Sequence, residues 1–510
     1  MKLCQGQQQL SAAAPPVLEL PLKPYTDIPG PKSLPFLGNI HQLKHPDPRI
    51  GRDPRKIVDI MNFFQKRYGN MIRLEIPLRQ PHIWLFCPEM CEKVYRAVGS
   101  KPRRPGFFAL THHRNKDDFY RDAKGLLVTQ GDQWQAIRSR TQQAMLRPKS
   151  ATRYTEIIEQ VAMDFVDEKI VKLRDPVTNQ VPRNFLDETY RWGLESVSCF
   201  ALDTRLGCLD PNLNENSEQI QIINAVSEIF RLNSDLDHSA QLWRYLPSAK
   251  LRRFDTVSKA FKKTAIKYII ASMEAIKRRK EAGGINASNE DPSLLEQFYD
   301  RGLDEATTAV MALDMMFAGI DTASHTSCFA MYHLARNPCV QDRLVQEITG
   351  QLSSDLSARV TRKTLDKMPY LKAVLKEVLR MNPPAIANIR ELTEPLELNG
   401  YELPAGAAIV PFHYHMMNSP NYIRDPKVFR PERWIRNDPL CDNIHPFVQM
   451  SFGHGPRMCI GRRFAELEVY LLLIKILQRF KIEWHHGDIG MLAETITFPD
   501  KPMQFTFVDR

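Results

Sequence analysis

The longest helix-forming stretch of the sequence runs from Asp304 to Arg336 and stops before Pro338. At about 1.5 Å per residue such a helix is roughly 50 Å long, which is enough to cross a whole domain. It is too polar to span a bilayer, because Asp321 and His325 lie inside it. The chain must therefore fold around a long helix that carries polar side chains into the interior.

Strand signals are few and clustered. Residues 72–76 alternate between apolar and polar side chains, and 82–86 form a short apolar run. The pair Asn399-Gly400 separates two extended stretches and predicts a hairpin. A proline-rich turn at 499–502 lies between two further extended stretches. Since most other segments have helical patterns, the sequence predicts a mainly α protein with a small β portion.

The charge balance limits the partners of the chain. Its net charge of +10 favours an acidic partner, such as nucleic acid, an anionic membrane or an acidic protein, although a basic surface also serves solubility. A nucleic-acid binder is disfavoured, because the basic residues form no recognisable recognition module. The nine cysteines are scattered and include no CxxC pair, which predicts a reducing compartment without a disulfide framework.

The N-terminal residues differ in composition from the rest of the chain. We predict a leader over residues 1–28, which could serve as an organelle transit segment, followed by one domain over 29–510. Residues 1–20 are small, glutamine-rich and poor in acids, but the first arginine is Arg49, whereas transit segments are rich in arginine. No run of about 18 apolar residues occurs near the start, so we expect no transmembrane anchor or secretory signal.

The sharpest motif is FGHGPRMCIG at residues 452–461. Three glycines and a proline flank Cys459, just before a helical pattern that begins near Arg462. A helix N-terminus favours a thiolate, the glycines let the backbone approach something bulky and flat, and Arg457 could meet a carboxylate. Haem iron can be held by such an anionic sulfur. The alternative for a lone cysteine is a buried structural thiol, but the full spacing favours a haem site.

The spacing F-x-x-G-x-R-x-C-x-G resembles the haem-binding signature of cytochromes P450, and the resemblance extends from about residue 29 to the C-terminus. It implies a single-domain cytochrome P450 fold with haem b, which is iron protoporphyrin IX, as the cofactor. Cys459 would be the axial ligand of the haem iron. Phe452, Arg457 and Gly461 would complete the haem-binding loop. His454 is not part of the signature, and we expect it at the surface or behind the residues that touch the cofactor.

The tract AGIDT at residues 318–322 lies midway along the long helix. A glycine inside a helix costs about 1 kcal/mol relative to alanine, so the alternative is a tolerated kink with solvated polar groups. The tract resembles the oxygen-activation helix of cytochromes P450. The resemblance implies that Ala318 and Gly319 leave space for dioxygen. Thr322 would hydrogen-bond to it, and Asp321 would relay protons through water.

A second amphipathic helix is predicted over residues 370–381, where apolar residues recur at helical spacing. Glu377 and Arg380 lie three residues apart on it, a spacing that is common for an ion pair on a helix surface. Together with the tract PERW at 431–434, however, they resemble the E-x-x-R motif of cytochromes P450 and the segment that supplies its third member. The resemblance implies that Glu377, Arg380 and Arg433 form a buried structural network near the cysteine loop.

Further basic residues match cytochrome P450 patterns. Trp134 and Arg138 lie one helical turn apart, and by themselves they indicate a cation over an aromatic ring. The resemblance implies that they contact the haem propionates. Arg390 matches another propionate contact, so that with Arg457 three guanidinium groups would face two carboxylates.

The electron donor is indicated by a basic group around the cysteine loop, made of Lys372, Lys376, Arg462 and Arg463. A solvated basic face is the alternative. The two lysines before Glu377, and the string CIGRRFAELE, are similar to mitochondrial cytochromes P450, which take electrons from an acidic, adrenodoxin-like ferredoxin. This similarity implies a mitochondrial location on the matrix face of the inner membrane, with peripheral membrane association.

The implied function is that of a haem-thiolate monooxygenase, which inserts one oxygen atom of O2 into an apolar substrate. A steroid-like lipid is favoured, and a xenobiotic remains open. Substrate-recognition segments are expected at 103–124, at about 225–255 and near Phe498. The aromatic and basic segment 243–247 could dip into a membrane or be an ordinary amphipathic loop.

Two other functions remain as alternatives. The first is an isomerase or peroxide user with the cytochrome P450 fold but no redox partner, against which the intact Asp321-Thr322 pair argues. The second is a non-catalytic haem- or lipid-binding protein, which would bind haem without forming product when an electron donor is present.

Overall fold

The computed structural model describes residues 21–44, 53–77, 79–239, 241–246, 248–281, 291–352 and 358–510. Its helices are α1 (Ile40–Lys44), α2 (Ile57–Tyr68), α3 (Pro88–Ala97), α4 (Phe108–Lys116), α5 (Gly131–Leu146), α6 (Pro148–Thr152), α7 (Thr155–Phe165), α8 (Phe185–Ala201), α9 (Glu218–Asp237), α10 (Ala249–Glu281), α11 (Leu294–Asp300), α12 (Glu305–Arg336), α13 (Pro338–Gln351), α14 (Arg362–Asp366), α15 (Pro369–Met381), α16 (His413–Asn418) and α17 (Arg462–Arg479).

Its strands are β1 (Lys23–Pro24), β2 (Met71–Leu74), β3 (His82–Leu85), β4 (Arg390–Glu391), β5 (Leu396–Leu398), β6 (Tyr401–Leu403), β7 (Ala408–Pro411), β8 (Phe480–Glu483), β9 (Met491–Ala493), β10 (Thr497–Pro499) and β11 (Thr506–Asp509). The prediction of a mainly α protein with a small β portion is confirmed. None of the helices within the described ranges is long and apolar enough to cross a membrane.

The predicted long helix is confirmed to within one residue as α12. Asp304 caps its N-terminus, because the Asp304 side chain accepts a 2.7 Å hydrogen bond from the backbone N–H of Thr307. The helix ends at Arg336, ahead of the proline that begins α13. It contacts α8, α9, α10, α15 and α17 and so forms the centre of the largest hydrophobic core.

Polar residues inside α12 have buried partners. Arg114 on α4 forms an ion pair of 2.5 Å with Asp314. The hydroxyl of Tyr190 on α8 lies 2.7 Å from Nε2 of His325. Because a buried polar group without a partner is costly, these contacts explain how a helix with polar residues can fill the interior.

The four-stranded sheet has the order β2-β3-β7-β4. The predicted strands around residues 72 and 82 pair with each other, with Ile72 opposite Trp84. The predicted hairpin is confirmed as β5 and β6, where Asn399 and Gly400 have φ values of 53° and 79°. Two consecutive residues with positive φ are typical of the tight turns that suit hairpins. The strands on either side of 499–502 do not pair with one another: β10 pairs with β9 and β11 with β8.

The folded body begins before residue 29. Lys23 in β1 lies opposite Tyr401 in β6, and Ile28 is only 4% exposed within a core cluster. The last residues of the predicted leader therefore belong to the domain. Residues 1–20 of that leader lie outside the described residues.

Candidate active site

The cysteine loop is a tight turn that leads directly into α17. The backbone N–H of Cys459 donates a 2.8 Å hydrogen bond to the carbonyl oxygen of Phe452, which closes the loop. Gly453 and Gly455 have φ values of 73° and 71°, which only glycine adopts at little cost. Gly461 caps α17, so the sulfur lies just before a helix N-terminus, as predicted.

The side chain of Cys459 is accessible although it lies deep in the protein. Cys459 is exposed, yet burial raises the pKa of its thiol. A hydrogen bond from the backbone N–H of Gly461, and then the charges of Arg138 and Arg462, oppose that rise. A side chain that is both accessible and surrounded by protein borders an internal cavity. Cys459 therefore presents its sulfur to a chamber with cationic walls.

A second opening into the interior lies on α12. From Thr307 to Ala335 every residue is buried except Ala318, Gly319 and Thr322. These three residues share one face of the helix, since they lie one and four positions apart. The hydroxyl of Thr322 donates a 2.7 Å hydrogen bond to the carbonyl oxygen of Ala318. The tract predicted from the sequence is therefore the part of α12 that borders a cavity.

Asp321 lies next to this open face but is buried. Ser227 on α9 donates a 2.9 Å hydrogen bond to Oδ2 of Asp321, and Oδ1 has no partner among the described residues. Burial raises the pKa of Asp321 to about 7, although the hydrogen bond from Ser227 opposes the rise. A carboxyl group with this pKa can both hold and release a proton near neutral pH.

Four guanidinium groups converge beside the cysteine loop. Burial is the largest cause that lowers the pKa of Arg457, and the charges of Arg104, Arg390 and Arg138 lower it further. The guanidinium carbon of Arg457 lies 4.3 Å from the ring centroid of Trp134, which is 2% exposed. In the described part of the chain, no carboxylate forms a salt bridge with any of the four. Crowded buried cations of this kind fit a bound anion.

Some nitrogens of these groups have no protein partner. Nε of Arg138, and both Nε and Nη2 of Arg390, are buried without a hydrogen bond from any described residue. Arg138 does bond to the carbonyl oxygen of Met458, at 3.0 Å, and so points at the cysteine loop. Free donors aimed at one place indicate that a ligand with acceptor oxygens completes the site.

The network predicted around Glu377 is assembled as expected. Arg380 donates to both carboxylate oxygens of Glu377 at 2.9 Å, and Nε of Arg433 donates at 3.0 Å. Trp434 and the backbone N–H of Arg430 donate to the same carboxylate at 2.9 and 3.0 Å. All three charged side chains of the predicted set are fully buried.

Comparison with known proteins agrees with this geometry. A family model described as Cytochrome P450 matches residues 28–507. The chain belongs to the cytochrome P450 family. It is similar to Probable cytochrome P450 301a1, mitochondrial, of Drosophila melanogaster, with 34% identity over 488 residues that cover 94% of this chain and 86% of the relative.

Two further relatives match over similar lengths. Probable cytochrome P450 49a1 of Drosophila melanogaster is 33% identical over 495 residues, which cover 95% of this chain and 82% of the relative. Cytochrome P450 CYP12A2 of Musca domestica is 32% identical over 474 residues, which cover 88% and 86%. The chain is therefore a cytochrome P450 monooxygenase, and members of this family bind haem b.

The residues of this cytochrome P450 fit haem b. The accessible Cys459 sulfur can supply a thiolate ligand, because coordination by a metal ion deprotonates a thiol. Arg138 and Arg390 offer free donors to two propionates, and Arg104 and Arg457 add positive charge beside them. When bound, haem would supply the chemistry that activates O2 at its iron.

Gly319 has a use that the sequence did not reveal. A Cβ built on Gly319 would lie 2.7 Å from Cγ2 of Val197 on α8. The missing side chain therefore lets α8 pack closely against α12. Gly319 is also one of the partly exposed residues of α12, and its expected role in leaving room for dioxygen stays a prediction. Ala318 and Thr322 remain as the side chains that border the cavity.

Two residues of the site were missed by sequence reasoning. Arg104 joins the cation cluster, and its charge is among those that act on the Cys459 thiol. Ser227 supplies the hydrogen bond to Asp321. Neither belongs to a local motif, but both lie within predicted substrate-recognition segments, 103–124 and about 225–255, which were the signal for them.

The predicted basic group lies on one side of the cysteine loop. Ser451 donates to the carbonyl oxygen of Leu379 at 2.9 Å, which fastens α15 to the residues before the loop. Lys376 is exposed on α15 and Lys372 is partly exposed. Arg462 and Arg463 at the start of α17 both pair with Glu466, at 2.8 and 3.4 Å. Lys372 also lies 3.7 Å from a carboxylate oxygen of Asp366. Acids therefore neutralise part of the predicted surface, and Lys376 is its member without a salt bridge to any described residue.

The predicted substrate-recognition segments converge. Oδ2 of Asp237 on α9 accepts a 3.0 Å hydrogen bond from the backbone N–H of Phe108 on α4. Thr495, near the C-terminal turn, donates to the carbonyl oxygen of Phe230 at 2.8 Å. Segments far apart in sequence thus meet around α9. Within the predicted segment 243–247, Trp243 is 6% exposed, and its indole N–H donates to the carbonyl oxygen of Leu236 at 2.9 Å. Pro247 of that segment lies outside the described residues.

His454 lies where the sequence placed it. It is exposed, and its ring centroid lies 4.6 Å from that of Phe447 and 5.8 Å from that of Tyr95. The guanidinium of Arg390 packs over the ring of Tyr95, 5.1 Å from its centroid. Tyr95 therefore lies between His454 and Arg390, and His454 forms no hydrogen bond with the cation cluster in the described part of the chain.

Proposed function

We propose that this cytochrome P450 inserts one oxygen atom of O2 into an apolar, steroid-like lipid, with electrons from a ferredoxin. The observation that carries the proposal is the partly exposed face of α12, formed by Ala318, Gly319 and Thr322 inside an otherwise buried stretch of the helix. Thr322 borders that face, and Asp321 beside it has a pKa of about 7. Oxygen insertion needs protons, which this arrangement can deliver, whereas a passive lipid binder transfers none.

The residues in the site would have different roles. Cys459 would ligate the haem iron, and the four arginines would hold the propionates. Thr322 would orient O2 through its hydroxyl, and Asp321 would pass protons from the side of Ser227, 2.9 Å away. Glu377, Arg380 and Arg433 would act only by fixing α15 against the cysteine loop.

The basic side of the cysteine loop supports a ferredoxin as the electron donor. Lys372 and Lys376 share one face of α15 and project into solvent. Two positive charges on a rigid helix would steer an acidic partner to the proximal side of the haem. The name of the relative Probable cytochrome P450 301a1, mitochondrial, gives its location as the mitochondrion. We place this protein in the same compartment, on the matrix face of the inner membrane.

Peripheral membrane association is supported by exposed apolar side chains. Leu242, Tyr245 and Leu246 are 58%, 74% and 67% exposed around the buried Trp243. Phe36 is 98% exposed in another loop. Contiguous exposed apolar side chains are typical of a surface that meets lipid. An apolar substrate would then enter from the bilayer. A xenobiotic would enter in the same way, so it stays a candidate for the screen below.

The first experiment uses the purified, haem-loaded protein under carbon monoxide. We expect the red-shifted Soret band of a thiolate-bound ferrous complex when a mitochondrial-type ferredoxin system supplies electrons. No band with any reductant, including dithionite, would contradict the assignment of Cys459. A band with a diflavin reductase but not with ferredoxin would contradict only the donor.

A charge-reversal pair tests the donor surface. Lys372→Glu combined with Lys376→Glu should slow reduction by ferredoxin and leave reduction by dithionite unchanged. The matched control is Lys259→Glu combined with Lys263→Glu, an exposed pair at the same spacing on α10. Equal slowing by both pairs would mean that net charge alone matters.

Product analysis separates the remaining functions. Steroids and xenobiotics would be incubated with the reconstituted electron donor and O2, and products sought by mass spectrometry with isotopically labelled O2. We expect incorporation of one labelled atom. Product formation without a donor would favour a peroxide user or an isomerase, and tight binding without any product would favour a lipid binder.

A further inference from the structure

A cationic pocket lies at the far end of α9 from Ser227. The guanidinium of Arg79, from the loop between β2 and β3, packs 5.0 Å from the ring centroid of Phe108. Nε and Nη2 of Arg79 are buried and have no hydrogen-bond partner among the described residues. An arginine whose donors are buried and unused is costly unless a ligand completes it.

Two histidines surround Arg79. Burial, followed by the charge of Arg79, lowers the pKa of both His82 and His238, which shows that the three groups lie close together. His238 is exposed although it lies deep enough for burial to lower its pKa, as was found for Cys459. His238 therefore borders an internal cavity rather than the outer surface.

The nearby acid leaves the donors of Arg79 unused. The carboxylate oxygens of Asp237 accept hydrogen bonds from the backbone N–H groups of Phe108 and Ala109, both at 3.0 Å. Asn233 donates to the same carboxylate at 3.3 Å. The charge of Asp237 acts on Arg79, but among the described residues Asp237 forms no hydrogen bond with it. Nε and Nη2 of Arg79 thus remain available to a ligand.

One short segment links the pocket to the reaction site. Residues 104–109 connect them, since Arg104 acts on the Cys459 thiol and Phe108 packs on Arg79. Along α9, His238 follows Ser227 by eleven positions, so the pocket lies about 16 Å from the residue that bonds Asp321. An elongated molecule could reach both ends.

We propose that the substrate carries an anionic oxygen group, a carboxylate or a sulfate ester, that binds Arg79 while its apolar body extends to the haem. This inference rests on the proposed monooxygenase function and deepens it. Arg79 would donate two charge-assisted hydrogen bonds through Nε and Nη2, a geometry that suits an oxyanion. His82 and His238 would be neutral donors at the same group.

The test measures binding of matched probes to the haem-loaded protein by equilibrium dialysis. The carboxylate arm compares hexadecanoate with hexadecan-1-ol, and the sulfate arm compares cholesterol sulfate with cholesterol. We expect the anionic member of at least one arm to bind more tightly. In Arg79→Gln that member should lose about tenfold or more in affinity, whereas the neutral member should be unchanged. The control, Arg67→Gln, changes an exposed arginine that also packs on an aromatic ring.

Each outcome either supports or overturns the proposed anion site at Arg79. A preference for the anion that Arg79→Gln removes supports the proposal, and the arm that shows it identifies the anionic group. The proposal is overturned if neither arm prefers the anion, if nothing anionic binds, or if Arg79→Gln weakens both members equally. The carbon monoxide band is recorded on the same samples. If the band forms without anion preference, only this inference fails, whereas loss of the band would remove the proposed function itself.

Discussion

Removal of the Glu377 carboxylate is the sharpest test of how this fold holds its haem site. Glu377 accepts five hydrogen bonds, from Arg380, Arg433, Trp434 and the backbone of Arg430. In Glu377→Ala the fully buried Arg380 would lose its counter-charge, and the fully buried Arg433 would keep only its ion pair with Asp442. We expect the variant to fail to hold haem, because α15 would no longer be fixed against the cysteine loop.

The magnitude follows from the burial. Breaking a buried pair by removing one partner costs about 3–5 kcal/mol. A folded domain has only about 5–15 kcal/mol of stability, so the loss would leave the protein marginal. Although burial raises the pKa of Glu377, Arg380 and Arg433 hold it below its ordinary value. The stability from this carboxylate is therefore present above its ordinary pKa of 4.5 and lost as the pH falls through the lower, folded value.

The assay is urea unfolding together with the haem content per protein, measured by pyridine haemochrome absorbance. Glu377→Gln keeps the side-chain volume and removes only the charge, so it separates lost charge from a cavity. Asp118→Ala is the matched control, because Asp118 forms an ion pair at the same i,i+3 spacing with Arg121 but on the surface. It should show no measurable change. A Glu377→Ala protein with normal haem content and stability would refute the reasoning.

Three further predictions concern the site. Asp321→Asn should remove the pH dependence of product formation centred near pH 7, and should raise stability relative to the parent as the pH rises, because the ionised carboxyl is no longer buried. Gly319→Ala should cost about 1–3 kcal/mol in urea unfolding, because its Cβ would meet Val197, and Val197→Ala should restore the loss. Arg104→Gln should speed haem transfer to apomyoglobin, whereas its exposed neighbour Arg103→Gln should not; equal rates would remove Arg104 from the site.

The sequence alone determined the features that depend on local pattern. The capping residue Asp304 and the proline after Arg336 marked the ends of α12, since both act through the backbone of adjacent residues. Asn399-Gly400 predicted its hairpin for the same reason. The motif around Cys459 predicted a tight loop just before a helix N-terminus, because the glycines and the start of the helix lie in consecutive residues.

The tertiary structure decided what depends on distant segments. Only the fold shows that Val197 packs against Gly319, since no spacing rule shows which helix packs against a glycine. The fold also brings Arg104 to the cation cluster and Ser227 to Asp321, because these residues lie on elements far apart in sequence. Trp243, whose place the sequence left open between a membrane surface and an ordinary loop, is buried and donates a hydrogen bond to Leu236. Burial, and the pKa of every group it perturbs, is a property of the packed molecule, so it cannot be read from neighbours along the chain.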